Sequence, residues 1–148
     1  MFSFLKIDSN GMETVILIKT IQSFDDSKYV QDNVNVFGAY CSTPWQRMPE
    51  QTGDSNCYIF SLIPKFRNYF TKYGEGGTNY CYLNVSKELK KGIGFGGDGK
   101  ETYRIWLDED IQNKSYVVAE DKTYENGYLI DPLINVLKVL FIIYIYKI

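Results

Sequence analysis

Short runs of β-branched and aromatic residues recur along the chain, each closed by glycine, proline or a polar cluster. That rhythm is the mark of strands rather than helices. Residues 14–20 are β-branched and almost continuously apolar, which predicts a strand covered on both faces. Residues 22–35 are polar, hold Asp25-Asp26-Ser27 and predict an exposed loop. A second strand is expected over 35–41, then a loop over 43–56 punctuated by Pro44, Pro49 and Gly53. A third strand over 57–63 is stopped by Pro64, and the mixed segment 65–78 ends in the turn Gly74-Glu75-Gly76-Gly77. Residues 80–85 predict a strand, and Ser86 is placed to cap one helical turn over 87–91. Residues 102–107 alternate and end at Asp108-Glu109-Asp110. A short β-like piece over 115–119, a tight-turn signal at Asn126-Gly127 and a closing strand over 136–148 complete the chain. Seven or eight such strands, with no long amphipathic helix, predict packed antiparallel sheets.

Composition agrees with a β-rich domain. The chain has 148 residues, enough for one domain with a core. Aromatic residues make up 16%, with 13 Tyr and 9 Phe, a bias that favours pleated surfaces and also suits an interface. The net charge is −2 and no basic block stands out, so a nucleic-acid partner is not expected. The sequence holds no histidine, which removes Ser-His-Asp and Cys-His catalysis and histidine metal sites. The apolar run 139–146 lies between Lys138 and Lys147, far short of the about 20 residues of a membrane-spanning helix. No signal peptide opens the chain, and an intracellular, cytoplasmic protein is expected.

Candidate chemistry is thin. Cys41, Cys57 and Cys81 form no Cys-x-x-Cys pair and sit in apolar or aromatic stretches, as buried thiols in a reducing compartment do. Gly92, Gly94 and Gly97 have the spacing of a dinucleotide fingerprint, but the charged turn precedes the cluster and a strand follows it, the reverse of the required order. Residues 94–100 approach a phosphate-binding loop, yet Glu101 stands where Ser or Thr must reach magnesium. The cluster therefore reads as backbone needing positive φ or close approach. Asp108, Glu109 and Asp110 are the densest acidic site and read as a solvated strand end. Trp45 and Trp106 read as core or rim anchors. No cofactor and no metal are expected.

Four ordered segments resemble the TLDc domain, the shared module of the oxidation-resistance proteins. Residues 36–45, with Phe37, Gly38 and Trp45, are similar to its Phe-Gly-Ala-aromatic strand and tryptophan turn. Tyr58-Ile59-Phe60-Ser61-Leu62 resembles its aromatic Phe-Ser-Leu strand. Gly94, Gly96 and Gly97, followed by Trp106 and Asp108, resemble its glycine cluster and Leu-Trp-Leu-Asp strand. Ser115, Thr123, Asn126 and Leu129 match its later polar and apolar positions. The resemblance covers residues 12–137. It implies two antiparallel sheets packed as a β-sandwich with short flanking helices, mostly β within an α+β class, over one domain at 1–148. It also implies that the family's opening strand and His-Gly-x-Ser segment would precede residue 1, so the chain is expected to be N-terminally incomplete with a sheet edge unpaired. Lys138 stands where the family has a glutamate, and the tail 141–146 is unlike it.

What the resemblance implies about function is a non-catalytic interaction module. Its partner would be a protein, foremost the vacuolar proton-pumping ATPase, and its family is associated with protection from oxidative damage. Trp45, the tyrosines and the Asp108-Glu109-Asp110 edge are the expected docking residues. Two alternatives remain open: a peroxide-reactive thiol, with Arg47 the nearest cation to Cys41 in sequence, and a carbohydrate-binding sandwich.

Overall fold

A computed structural model describes residues 13–23, 33–45, 52–72, 77–84, 91–97, 102–130 and 138–148. The expected loop at Asp25-Asp26-Ser27, the turn glycines Gly74 and Gly76, the Ser86-capped turn up to residue 90, Arg47, Pro49 and residues 98–101 lie outside those described residues.

Five strands make the first sheet. They are β1 (Thr14–Ser23), β2 (Asn33–Cys41), β3 (Tyr58–Ile63), β4 (Arg67–Tyr69) and β9 (Lys138–Lys147), in the spatial order β4-β3-β2-β1-β9. The second sheet holds β5 (Cys81–Asn84), β6 (Gly92–Phe95), β7 (Ile105–Asp108) and β8 (Tyr116–Val117), in sequence order. Every pairing is antiparallel. One helical turn, α1 (Ile111–Lys114), follows β7.

The period-2 pattern of β1 explains its place. Thr14, Ile16, Ile18 and Thr20 are buried on one face, while Val15, Leu17 and Lys19 are half-buried on the other. The expected cover on both faces is thus complete on the inner face alone. Ile16 and Ile18 join Phe37, Ala39 and Ile59 of the same sheet and Leu83, Ile93, Phe95, Ile105 and Leu107 of the other in one core. Apolar rows from two sheets meeting in one core make a β-sandwich. Each fully buried Ile or Leu contributes about 1.5–3 kcal/mol relative to exposure.

Several elements differ from expectation. β4 falls in the mixed segment 65–78, where Arg67-Asn68-Tyr69 carries no apolar alternation and is fixed by pairing with β3. The first half of the glycine cluster is strand, β6, and the turn begins only at Gly96. β1 extends to Ser23 and β2 begins at Asn33, so both reach into the expected 22–35 loop. β1 is paired on both sides, from Thr14↔Lys147 to Ser23↔Lys138 on one and along β2 on the other, so no edge is open at this strand. Asn126-Gly127 does not join two strands directly; it lies in residues 118–130, which pair through the isolated Thr71↔Tyr124 bridge with the chain just beyond β4.

Candidate interaction surface and the residues behind it

An ion pair holds segment 118–130 in place. The guanidinium of Arg104, just before β7, donates Nη1 to Asp121 Oδ1 at 2.9 Å, with the side chains 0% and 3% exposed. Its Nη2 donates to the Gly127 carbonyl, and its face lies 5.4 Å from the Tyr69 ring centroid. Burial pushes the Arg104 pKa down from its ordinary value, and Asp121 pulls it back up. Asp121 Oδ2 also accepts the Gly97 N–H at 2.8 Å and the Thr123 N–H at 2.9 Å. Thr123 Oγ1 donates to the Gly97 carbonyl at 3.2 Å, which also accepts Asn79 Nδ2 at 2.9 Å. Asn126, exposed, accepts Lys72 Nζ at 2.8 Å. Gly97, Thr123 and Asn126 are therefore brought to one node, built round Asp121, Arg104 and Lys72, which the sequence did not single out. Two signals were present. Asp121 two residues before Thr123 is an Asx-turn pattern, and an arginine inside an apolar strand calls for a buried acid.

The glycines serve geometry. Gly97 has φ +101, and a Cβ there would collide with the Thr102 carbonyl oxygen. Gly94 has the Tyr103 ring packed where its side chain would stand. Gly96 is buried at φ 71 beside Asp121 and Arg104. Tyr103 stacks on Trp106 at 4.7 Å, and Tyr82 closes the trio on the outer face of the second sheet. Trp106 is fully buried and donates Nε1 to Asp108 Oδ2 at 2.9 Å. Asp108 Oδ1 accepts the Asp110 N–H, and Ser115 Oγ accepts the Asp108 N–H.

Asp108 is 6% exposed, which corrects the reading of 108–110 as a solvated docking edge; Glu109 alone of the three is exposed. Trp45 is 2% exposed and sits edge-on to Phe95 at 5.7 Å, so it is not a presented loop residue. With both tryptophans buried, neither offers a face for stacking a sugar. Phe37 is fully buried, and Phe60 packs where Gly38 leaves space.

The three cysteines are free and buried. Their sulfurs touch: Cys41 to Cys81 is 2.7 Å and Cys57 to Cys81 is 3.8 Å. Among the described residues no group of three His, Cys, Asp or Glu side chains is arranged to hold a metal ion.

Exposed apolar surface gathers at the β3–β4 hairpin. Leu62, Ile63, Phe66 and Phe70 are 38%, 47%, 66% and 53% exposed. Phe70 lies 5.8 Å from the Tyr58 ring, which meets Tyr40 at 5.1 Å, so an aromatic row runs inward along the outer face from the β4 edge. On the other side of β4 a groove of about 250 Å³ is lined by Pro64, Lys65, Arg67, Tyr69, Tyr128 and Ile130. Lys65 and Arg67 are exposed, so two cations flank the apolar tip. No helix among the described residues is long and apolar enough to cross a membrane.

Comparison with known proteins bears on this arrangement. A family model described as the TLDc domain matches residues 3–139, beginning before the resemblance read from the sequence and ending inside β9. The chain is similar to the MTOR-associated protein MEAK7 of Xenopus laevis, 36% identical over 78 residues, 51% of this chain and 16% of that protein. The Danio rerio protein of the same name is 33% identical over 99 residues, 66% of this chain and 19% of its own length. The Homo sapiens protein is 33% identical over 79 residues, 52% and 16% respectively. The chain thus spans under a fifth of the length of these relatives.

Proposed function

We propose that this chain, which belongs to the TLDc domain family, is a single non-catalytic protein-interaction module that docks through its β3–β4 hairpin. The observation that carries the reading is the exposed cluster Leu62, Ile63, Phe66 and Phe70 at a sheet edge. Apolar and aromatic side chains at a rigid edge, rimmed by charge, are the composition of a docking patch. Lys65 and Arg67 select the partner: an apolar protein segment flanked by acidic residues. The family positions Gly97, Thr123, Trp106 and Asp108 act from behind, by fixing the sandwich that presents the hairpin.

Two partner assemblies are in view. The relatives' name, MTOR-associated protein, points to an mTOR-containing assembly. The family resemblance points to the vacuolar proton-pumping ATPase, and protection from oxidative damage would follow from regulating such an assembly. The first is favoured, because it comes from individual relatives rather than from the family at large. The three free thiols fit a reducing compartment, so the module is assigned to the cytoplasm.

The test is retention of each purified assembly on the immobilised chain, beside the variant Phe66→Asp/Phe70→Asp. Retention by the wild type with at least about tenfold weaker binding by the variant supports the reading. For the ATPase arm, release of the peripheral sector and loss of ATP hydrolysis are read as well. Equal retention of both chains, or none by either, would contradict it.

A further inference from the structure

The sulfur trio is a cluster of nucleophilic side chains, among the described residues, that docking through the hairpin leaves unused. Cys41 ends β2, Cys57 immediately precedes β3 and Cys81 opens β5, so both sheets deliver a thiol to one point. Each is 1% exposed. The Cys41–Cys81 contact of 2.7 Å is too short for a tetrahedral thiolate metal site, where sulfurs about 2.3 Å from zinc stand about 3.8 Å from one another. One side of the trio faces a polar lip. Ser42 Oγ lies 3.3 Å from Cys57 Sγ and donates to Asp54 Oδ1 at 2.6 Å, and the next residues, Ser55 and Asn56, are exposed. Cys57 is therefore the sulfur nearest the route by which a water-sized molecule would arrive.

We propose that the trio is a peroxide-responsive modification site, in which Cys57 reacts first and the stable product is a disulfide between Cys41 and Cys81 that ties the two sheets together. The chemistry balances within the cluster and one hydrogen peroxide. The Cys57 thiolate attacks a peroxide oxygen; the S–O bond forms, the O–O bond breaks, and the departing hydroxide takes a proton to leave as water. Cys81 sulfur then attacks the Cys57 sulfenic acid; the S–S bond forms, the S–O bond breaks, and the hydroxyl leaves as a second water with the Cys81 proton. Cys41, in contact with Cys81, displaces Cys57, whose sulfur takes the Cys41 proton. Two thiols are oxidised to one disulfide and one peroxide is reduced to two waters. Donation from the Cys41 and Cys81 thiols and from the Ser42 backbone holds the Cys57 pKa low against the opposing effect of burial, which suits a first nucleophile. Burial pushes Cys41 and Cys81 up, which suits partners that react only once an electrophilic sulfur lies beside them. The Cys41–Cys81 pair is the end state because its sulfurs are already the closer pair and both residues lie in regular strands.

The test treats the native chain with one equivalent of hydrogen peroxide, alkylates it in denaturant and maps the peptides without reduction. The expected product links the Cys41 and Cys81 peptides, with Cys57 alkylated. Cys57→Ser should slow disulfide formation by about tenfold or more, and Cys41→Ser should stop at a Cys57–Cys81 link. The same treatment of the urea-unfolded wild type supplies the reference rate. A native rate no faster than that reference, a wild-type product lacking Cys81, or sulfenic acid that accumulates without a disulfide would overturn the proposal. The wild-type measurements stand even if a variant fails to fold.

Discussion

Replacing Asp121 by Asn keeps the shape of the side chain and removes its charge. Arg104 is fully buried, so its cation would lose its only acidic partner among the described ion pairs. Breaking a buried pair from one side costs about 3–5 kcal/mol, because the remaining charge is left uncompensated. Two features hold the value near the lower end: Arg104 keeps the Gly127 carbonyl and the face of Tyr69. The second carboxylate oxygen matters too, since Oδ2 accepts both the Gly97 and Thr123 N–H groups. A loss of about 3 kcal/mol is expected. Urea unfolding followed by tryptophan fluorescence reads it well, because Trp45 and Trp106 are both buried. With a slope of about 1–3 kcal/mol per molar urea, the midpoint should fall by at least about 1 M. The double replacement Arg104→Met/Asp121→Asn should cost less than Asp121→Asn alone, since no unpaired charge remains while the amide oxygen can still accept the Gly97 and Thr123 N–H groups. A midpoint for Asp121→Asn within about 0.3 M of wild type, at unchanged slope, would refute the node as the fastening of segment 118–130.

Other outcomes follow from the same geometry. Gly97→Ala should destabilise by about 1–3 kcal/mol from its backbone conformation alone, before the collision with the Thr102 carbonyl is added, and the urea midpoint reads this. Asp108→Ala removes a buried acceptor of the Trp106 indole N–H and should cost about 1–3 kcal/mol, whereas exposed Glu109→Ala should stay within about 0.5 kcal/mol of wild type; the pair, measured together, separates a buried acceptor from a solvated edge. Phe66→Asp/Phe70→Asp should leave the unfolding midpoint nearly unchanged, within about 0.5 kcal/mol, while partner binding is lost, since both rings are more than half exposed.

The sandwich was legible where apolar and β-branched residues run together. Residues 14–20, 35–41 and 57–63 announce their strands in this way, whereas the strand expected over 102–107 is β7 at Ile105–Asp108, with all four residues buried. β4 was not legible, because Arg67-Asn68-Tyr69 owes its extension to the ladder with β3 rather than to its own pattern. β6 was hidden by glycines whose purpose shows only when Tyr103 and Trp106 are seen lying over them. The roles expected of the family-motif positions depend on depth, which sequence does not carry. Asp108 looked like part of an acidic edge and proves to be the acceptor for a buried indole. Asp121 sits between Glu120 and Lys122 in sequence; only the approach of Arg104, from just before β7, makes it central. The thiols converge through sheet packing, which their spacing along the chain does not encode. The exposed apolar hairpin tip was missed because Pro64 reads as a stop, while Ile63 and Phe66 around it stay exposed.

The most direct measurement of the docking claim is amide hydrogen exchange on the chain free and bound to the purified mTOR-containing assembly. New protection is expected to be concentrated in residues 58–70, with residues 102–117 unchanged. Protection centred on residues 105–117, with the hairpin exchanging as in the free chain, would contradict it.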